Sequence, residues 1–326
     1  MLTLLRFQRV CMVFSLLLFL MMVSCQPGKK ATQRSTLPFS NSRFSIVDGV
    51  RLHYRTWSAE GDIRRGTVLL VHGFSGSTFS WERTAPVLQQ AGFEVVAIDI
   101  PPFGYSDKSP RLNASVTARA VLLKQWQDSL FPGREWHLVG HSMGAGIVEA
   151  MALMYPEQTL STVFVAGAVF GQVNAAEPQR QSLLRFKPVQ TLMGNLAEAW
   201  FITPRRIGGL LESAYGSPPG REAIMAYYHP LQISGTARAI LAGSVGSYDI
   251  TDLKAQDLQG PLLGIWGEND TWVPLEGRHK VLDQMPGIKI EVIPGAGHNP
   301  METHPDAFNK ILLEFLAPLA TLKTTY

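Results

Sequence analysis

A serine at position 142 lies at the centre of a Gly-His-Ser-Met-Gly sequence, residues 140–144, which matches the pattern G-x-S-x-G. The residues just before it, 136–139, suit a short buried strand, and residues 145–155 are rich in strong helix formers. A strand that turns sharply into a helix holds its serine in a strained conformation and projects the hydroxyl from the sheet edge. The flanking glycines leave room for chain that packs closely there. The pattern therefore predicts a nucleophile elbow with Ser142 as the attacking group.

The composition favours one large globular domain and disfavours several classes of partner. The chain has 326 residues, of which 46% are apolar, enough for a sizeable core. Its net charge of +3 is small, and no basic stripe is interleaved with aromatic residues, so nucleic acid is not a predicted partner. The sequence contains no metal-ligand cluster, Gly-rich phosphate loop or dinucleotide-binding fingerprint, so neither a metal nor a cofactor is predicted.

The elements that must position this serine alternate between strand and helix. An Asp-Gly pair at residues 48–49, within alternating sequence, predicts a β-hairpin. Helical segments, one of them over residues 78–90, separate the strands and predict an α/β fold with a mostly parallel sheet covered on both faces. In such sheets ligands bind at the carboxyl ends of the strands. Near-continuous apolar runs predict buried strands at residues 67–71, 93–98, 162–168, 261–266 and 288–293.

With these pieces in order, the chain resembles the α/β-hydrolase superfamily over almost its whole length after the N-terminal segment. The motifs that carry the resemblance are His72-Gly73-Phe74, the loop 99–106, residues 140–144, residues 267–270 and Gly297-His298. The resemblance implies the α/β-hydrolase fold and a serine hydrolase whose triad is Ser142, Asp270 and His298, in that chain order.

The three residue types suit acyl transfer. A serine hydroxyl is a weak nucleophile at neutral pH, so a base must remove its proton as it attacks a carbonyl carbon. His298 is suited to take that proton and return it to the leaving group, while Asp270 holds the tautomer and stabilises the imidazolium. Glu268 is the closest competing carboxylate, with Asp249 and Asp252 further alternatives. The remaining histidines considered are interpreted as structural or exposed: His137, His141, His229 and His304.

Further groups are assigned around the triad. The backbone N–H groups of Phe74 and Met143 are expected to form the oxyanion hole for the tetrahedral intermediate. Trp81 and Phe103 are expected to line a substrate pocket, with packing in the core as the alternative. Asp99 is expected to brace its loop near the site. A serine rather than an aspartate nucleophile disfavours activities like those of haloalkane dehalogenases and epoxide hydrolases.

The leading hypothesis is hydrolysis of a carboxylic ester of a hydrophobic substrate through an acyl-enzyme. Within the superfamily, hydrolases of C–C bonds, cofactor-free perhydrolases or haloperoxidase-like enzymes, peptidases and lactonases use the same triad, and fold alone does not separate them. A membrane-tethered binding protein without catalysis is the alternative from a different class. The oligomeric state is not predicted.

The N-terminal segment is interpreted as a targeting signal. Arg6 and Arg9 precede an apolar run at residues 10–23, which is short for a membrane-spanning helix. Residues 22–25, Met-Val-Ser-Cys, resemble a bacterial lipoprotein signal, with Met where Leu is usual. We predict that Cys25 becomes the lipidated first residue of a membrane-anchored lipoprotein of the bacterial cell envelope. An ordinary cleaved signal and an uncleaved anchor are the alternatives.

These interpretations divide the chain into segments. A helical pattern rich in Met, Trp, Phe and Tyr interrupts the strand alternation and predicts a lid inserted into the core. The predicted segments are a signal peptide at 1–24, a flexible tether at 25–42, an α/β-hydrolase core at 43–168 and 235–326, and the lid at 169–234.

Overall fold

The computed structural model describes residues 37–167, 191, 193, 194, 202–244 and 253–319. The predicted signal peptide, Cys25 and most of the predicted tether lie outside these residues, as does much of the predicted lid. No helix within the described ranges is long and apolar enough to span a bilayer.

Eight strands of the described chain form one sheet. They are β1 (Ser42–Val47), β2 (Val50–Trp57), β3 (Thr67–Val71), β4 (Glu94–Ile98), β5 (Trp136–His141), β6 (Thr159–Val165), β7 (Leu262–Gly267) and β8 (Lys289–Ile293). The order across the sheet is β1-β2-β4-β3-β5-β6-β7-β8. Strand β2 is antiparallel to both of its neighbours, β1 and β4, and the pairs from β4 to β8 are parallel. The predicted fold class, an α/β-hydrolase fold, is confirmed.

Helices follow most of the strands. Those described are α1 (Ala85–Gln90), α2 (Val116–Leu130), α3 (Met143–Met154), α4 (Pro204–Tyr215), α5 (Arg221–Leu231), α6 (Thr236–Ser244), α7 (His279–Leu282), α8 (Pro300–Thr303) and α9 (Pro305–Leu316). Short 3-10 turns occupy Thr78–Trp81, Pro156–Gln158, Ala255–Asp257, Leu275–Arg278 and Ala317–Leu319.

The central strand β3 explains why its sequence is apolar throughout. Successive side chains of a strand point to opposite faces of the sheet. Leu69 and Val71 accordingly belong to one buried cluster, whereas Val68 and Leu70 belong to another on the opposite face. All five residues of β3 are buried, so the strand is a fixed support for the loop that follows it.

The predicted hairpin is present, whereas the helix predicted over residues 78–90 is not continuous. The hairpin is confirmed, because Asp48 and Gly49 form a two-residue turn between β1 and β2 with φ values of 49° and 75°. The helix predicted over 78–90 is instead divided into the 3-10 turn Thr78–Trp81 and the later helix α1. Pro86 lies in the first turn of α1 and has no N–H to continue a helix from the preceding residues, which accounts for the break.

The sheet order brings the candidate groups to one edge. The carboxyl ends of β3 and β5 are adjacent, and the chain passes from them into the loop at residue 72 and into Ser142. Asp270 follows β7, and His298 follows β8. Because parallel strands end at the same edge, all these residues lie on the side of the sheet where α/β proteins bind ligands.

The stretch between β6 and β7 is helical where it is described. Helices α4 and α5 pack through a small cluster of their own, which includes Ile207, Leu211, Tyr227 and Leu231. Helix α6 lies beyond residue 234, where the predicted lid ends. Residues 168–190 and 195–201 are outside the described chain, so the bounds of the lid stay a prediction.

Acid is expected to destabilise the fold through a buried histidine. His137, in β5, has no exposed surface, and burial lowers the pKa of its imidazole from 6.5 to about 4. Between pH values equal to these two pKa values, the imidazole is protonated in the unfolded chain and neutral in the folded chain. The free energy of unfolding should therefore decrease as the pH is lowered through this window, by up to about 1.4 kcal/mol per pH unit for this group.

Urea unfolding at pH 7 and at pH 5 measures this effect. We expect His137→Gln, which keeps an amide near Ser161, to weaken the pH dependence, although His72 and His141 retain shifts of the same sign. An unchanged pH dependence in His137→Gln would contradict the assignment.

Candidate active site

Ser142 sits at the sharp turn between β5 and α3. Its backbone has φ 51° and ψ −116°, a left-handed conformation that is costly for a residue with a side chain. A Cβ atom on Gly140 would lie 2.3 Å from the carbonyl oxygen of Gly144, and one on Gly144 would lie 2.4 Å from that of Val71. Both flanking positions therefore need glycine, and the predicted strand-to-helix turn at Ser142 is present.

His298 and Asp270 form a hydrogen-bonded pair. His298 Nδ1 lies 2.9 Å from Asp270 Oδ2, and both side chains are almost completely buried. Asp270 Oδ1 accepts two backbone N–H groups, from Trp272 and Val273, each at 2.9 Å. Burial alone would raise the pKa of Asp270, but the hydrogen bonds from His298 and the two backbone groups outweigh it and hold the pKa below its usual value. The carboxylate thus fixes the Nδ1–H tautomer of His298, which leaves Nε2 as the basic nitrogen.

The competing carboxylates do not take this place. Glu268 is exposed, and its Oε2 accepts the backbone N–H of Gly295 rather than contacting the imidazole of His298. Asp249 and Asp252 lie outside the described residues. The structure therefore brings together His298 and Asp270, the residues favoured from the sequence.

The backbone of His298 is held from two sides. Its N–H donates to the carbonyl oxygen of Ala214, at the end of α4, at 2.7 Å. Its carbonyl oxygen accepts from His141 Nε2 at 2.9 Å. Burial and the neighbouring His298 lower the pKa of His141 to about 3, so its ring stays neutral. His141, interpreted from the sequence as structural, thus positions the loop that carries His298.

Ser142 and His298 open into the same cavity, which has a volume of about 200 Å³. Helix α4 supplies an apolar wall, and Phe74 and Trp272 add aromatic rings that are 58% and 40% exposed. Trp272 also stacks on the imidazole of His298, with the ring centroids 5.5 Å apart. The lining residues are Gly73, Phe74, Ser75, Gly76, Ser80, His141, Ser142, Ile207, Leu210, Leu211, Ala214, Tyr227, Trp272, His298 and Asn299. None of these described residues is Lys, Arg, Asp or Glu.

The loop after β3 lies against the elbow. A Cβ atom on Gly73 would lie 3.0 Å from Ser142 Cβ and 2.8 Å from His141 Nδ1, so the backbone approaches the serine as closely as glycine permits. His72 Nδ1 donates to the carbonyl oxygen of Gly73 at 2.7 Å, and His72 Nε2 accepts the N–H of Ile100 at 2.9 Å. Burial lowers the pKa of His72, which keeps this neutral tautomer. The orientation of the Gly73–Phe74 peptide is thereby fixed.

Two N–H groups near Ser142 are available to a ligand. Met143 is the first residue of α3, where an N–H has no partner within its helix. No hydrogen bond in the described part of the chain uses the backbone N–H of Phe74 or Met143. These are the two groups expected from the sequence to meet an oxyanion.

The two predicted substrate-binding aromatics lie elsewhere. Trp81 is completely buried in the core, 6.4 Å between ring centroids from Phe308, and does not line the cavity. Phe103 is also buried, behind the cavity wall. Its ring packs edge-on against that of Phe74, with the ring centroids 5.0 Å apart. The prediction for both residues is corrected: large aromatic rings at these positions fill the core, and Phe103 supports a lining residue.

Asp99 braces its loop, as predicted. Its Oδ2 lies 2.6 Å from Nδ1 of the buried His53, and its Oδ1 accepts the N–H of Thr78 at 2.6 Å. This buried pair ties β2 to the segment that follows the Gly73 loop. His53 carries no local sequence signal for this role.

Within the described chain no group of three or more His, Cys, Asp or Glu side chains is arranged to hold a metal ion.

Comparison with known proteins gives consistent matches. A model of the Alpha/beta hydrolase family matches residues 68–311. An uncharacterized hydrolase of Bacillus subtilis is 27% identical over 274 residues, which cover 83% of this chain and 96% of that protein. A 2-hydroxy-6-oxononadienedioate/2-hydroxy-6-oxononatrienedioate hydrolase of Escherichia coli is 26% identical over 295 residues, covering 85% of this chain and 96% of the relative. A thermophilic esterase from Thermogutta terrifontis shares the fold, with a TM-score of 0.65 at 21% identity, over 86% of this chain and 99% of the esterase.

Proposed function

The chain belongs to the alpha/beta hydrolase family, and from this we propose that it is a serine hydrolase that cleaves carboxylic esters of hydrophobic substrates. The observation that carries the proposal is the pair of His298 and Asp270, 2.9 Å apart, with His298 and Ser142 opening into one largely apolar cavity. The strained elbow at Ser142 adds support, because such strain is stored at functional sites.

The proposed reaction proceeds through an acyl-enzyme. Ser142 Oγ attacks the ester carbonyl carbon while His298 Nε2 takes its proton, and Asp270 stabilises the imidazolium. The tetrahedral intermediate then breaks its bond to the alcohol, which leaves with the proton returned by His298. A water molecule, deprotonated by the same imidazole, attacks the acyl carbon and releases the acid and free Ser142.

The oxyanion is proposed to be met by the N–H groups of Phe74 and Met143. Both groups lack partners in the described chain, and both belong to segments that touch Ser142. Because His72 fixes the Gly73–Phe74 peptide before substrate binds, the Phe74 donor needs no reorganisation during the reaction.

Hydrolysis of a C–C bond is the second candidate, and the similarity to the Escherichia coli enzyme is the observation that favours it. The name of that relative describes a dioate, a substrate with two carboxylates. A buried carboxylate needs a cationic or hydrogen-bonding partner. The described lining of this cavity has no Lys or Arg side chain, which favours a neutral ester for this chain.

A substrate panel tests the choice. We expect p-nitrophenyl esters of graded acyl length to be hydrolysed, with a maximum in kcat/KM at an acyl length that fills the apolar wall formed by α4. A ring-fission dienedioate should be turned over far more slowly. Turnover of the dienedioate alone, or only of peroxide with acetate, would overturn the ester proposal.

We further propose that the protein is a membrane-anchored lipoprotein of the bacterial cell envelope, lipidated at Cys25. The support is the sequence alone: an apolar run at residues 10–23 that ends in Ser24 and Cys25. Cys25→Ser should abolish incorporation of labelled fatty acid and release or misprocess the protein.

Cys11→Ser is the matched control, since the chain has two cysteines and Cys11 lies within the segment predicted to be removed. Membrane fractionation and fatty-acid labelling of both variants measure the effect. Unchanged membrane partition of Cys25→Ser would point to an uncleaved anchor.

A further inference from the structure

One part of the cavity wall is polar although it is buried. Ser80, Tyr227 and Asn299 line the cavity with polar side chains, in contrast to the apolar side chains that α4 contributes. All three residues are at most 9% exposed. Buried polar groups are normally hydrogen-bonded, so the partners of these three residues decide what the wall offers to a substrate.

Glu302 organises this wall from behind. Its Oε1 accepts the hydroxyl of Tyr227 at 2.6 Å and the amide of Asn299 at 3.0 Å. Its Oε2 accepts the hydroxyl of Tyr215 at 2.5 Å. Burial and the charge of Glu302 raise the pKa of both tyrosines, so both keep their protons. The carboxylate thus meets three donors.

The Glu302 carboxylate fixes which group donates in each hydrogen bond of this network. An ionised carboxylate only accepts, so Tyr227 gives its single hydrogen to Glu302. The contact between Ser80 Oγ and the Tyr227 oxygen, at 3.0 Å, must then be donated by Ser80. The amide nitrogen of Asn299 also faces Glu302 and Tyr227, which turns its carbonyl oxygen away from them.

Two side-chain oxygens of this wall, Ser80 Oγ and Asn299 Oδ1, remain able to accept a hydrogen bond. Ser80 Oγ has used its hydrogen, and within the described residues no donor reaches it or Asn299 Oδ1. The polar wall therefore presents oxygen lone pairs and no spare hydrogen to the cavity. A group that donates a hydrogen bond satisfies this wall, whereas a group that only accepts is left unpaired beside it.

We propose that Ser80 and Asn299 form a substrate subsite for a hydroxyl group, so that the preferred substrate is a neutral ester with a free hydroxyl in addition to its apolar part. This inference rests on the proposed ester hydrolysis. A hydroxyl is favoured over an ammonium group because the charge of Glu302 is already met by three donors, and an uncompensated cation is costly in an apolar cavity.

Matched esters test the subsite on both sides of the scissile bond. The acyl-side set is p-nitrophenyl butyrate, 3-hydroxybutyrate, 3-methoxybutyrate and 3-aminobutyrate, and the alcohol-side pair is monobutyrylglycerol and propyl butyrate. In at least one set we expect kcat/KM for the hydroxyl ester to exceed that of its unsubstituted partner on the order of tenfold. The methoxy ester, which only accepts, should be the poorest of the acyl-side set.

Two variants tie the preference to the wall. Ser80→Ala should bring the ratio of hydroxyl to unsubstituted ester close to one, whatever its absolute rate. Tyr227→Phe frees the Ser80 hydroxyl to donate, so the methoxy ester should recover relative to the hydroxyl ester. Ser217→Ala, at an exposed serine after α4, should keep the wild-type ratios.

The outcomes are distinct. Equal rates on hydroxyl and unsubstituted esters, a preference that survives Ser80→Ala, or a preference for the ammonium ester would each overturn the subsite while leaving ester hydrolysis intact. If no ester in either set is hydrolysed, the proposed function fails and the subsite falls with it.

Discussion

Ser142→Ala and His298→Ala are each expected to lower kcat for the best p-nitrophenyl ester by a factor on the order of 10⁴ or more. The reason is that the hydroxyl and the imidazole act as one unit: without the base the hydroxyl is a weak nucleophile, and without the hydroxyl the base has no proton to take. The double variant should therefore be no slower than either single variant. Steady-state kinetics of the three variants and the wild type measure this directly.

His279→Ala is a suitable control, because this histidine is exposed at the start of α7, away from the cavity. It should keep the wild-type rate, and circular dichroism should find all variants folded. Independent losses that multiply in the double variant would contradict a coupled pair.

Gly73→Val is expected to reduce kcat by about 10² to 10³, the loss that follows removal of one oxyanion donor. The added side chain would begin with a Cβ atom 2.8 Å from His141 Nδ1, closer than such atoms pack, and 3.0 Å from Ser142 Cβ, which is a tight contact. The loop must therefore move away from the elbow and carry the Phe74 N–H with it. The backbone of Gly73 is outside β3, so we expect the melting temperature to fall much less than the rate.

Gly277→Val is the matched control, since a Cβ atom there would meet nothing within 4 Å. It should leave both rate and stability near the wild-type values. Comparing kcat and thermal unfolding of the two variants separates an effect on the site from one on folding. A normal rate in Gly73→Val would argue against the placement of this loop beside the oxyanion.

Much of the fold was predictable because its sequence signals are local. A strand covered on both faces must be apolar at every position, as β3 is, and a two-residue hairpin turn favours Asp-Gly. The elbow needs glycine at 140 and 144 because neighbouring carbonyl oxygens leave no space for a Cβ atom. Each of these demands is met by residues within a few positions of one another, so a single sequence reveals them.

Contacts between distant segments were not predictable in this way. His141 meets the carbonyl of His298 across 157 positions, and Tyr227 meets Glu302 across 75. Nothing in the residues beside either partner signals such a contact. The same limit explains the correction of Trp81, whose position on a turn is compatible with a pocket or with the core. Only the packing of the whole domain decides between them, and here it places the ring against Phe308.

The order of the motifs was more informative than any one of them. Acid residues at 249, 252, 268 and 270 were all candidates, and Asp270 was the one that the resemblance to the α/β-hydrolase superfamily implied from the order of the motifs. In the structure Asp270 lies beside His298, and the exposed Glu268 is occupied with the backbone N–H of Gly295. The order of the motifs along the chain therefore carried information that residue type alone did not.

Covalent labelling is the most direct test of Ser142 as the nucleophile. The folded wild-type protein is treated with a fluorophosphonate, digested, and analysed by mass spectrometry. We predict one adduct, on Ser142, at a rate that falls sharply in His298→Ala and with no adduct in Ser142→Ala. A folded wild-type protein that remains unlabelled, or that is labelled at another residue, would contradict the proposed mechanism.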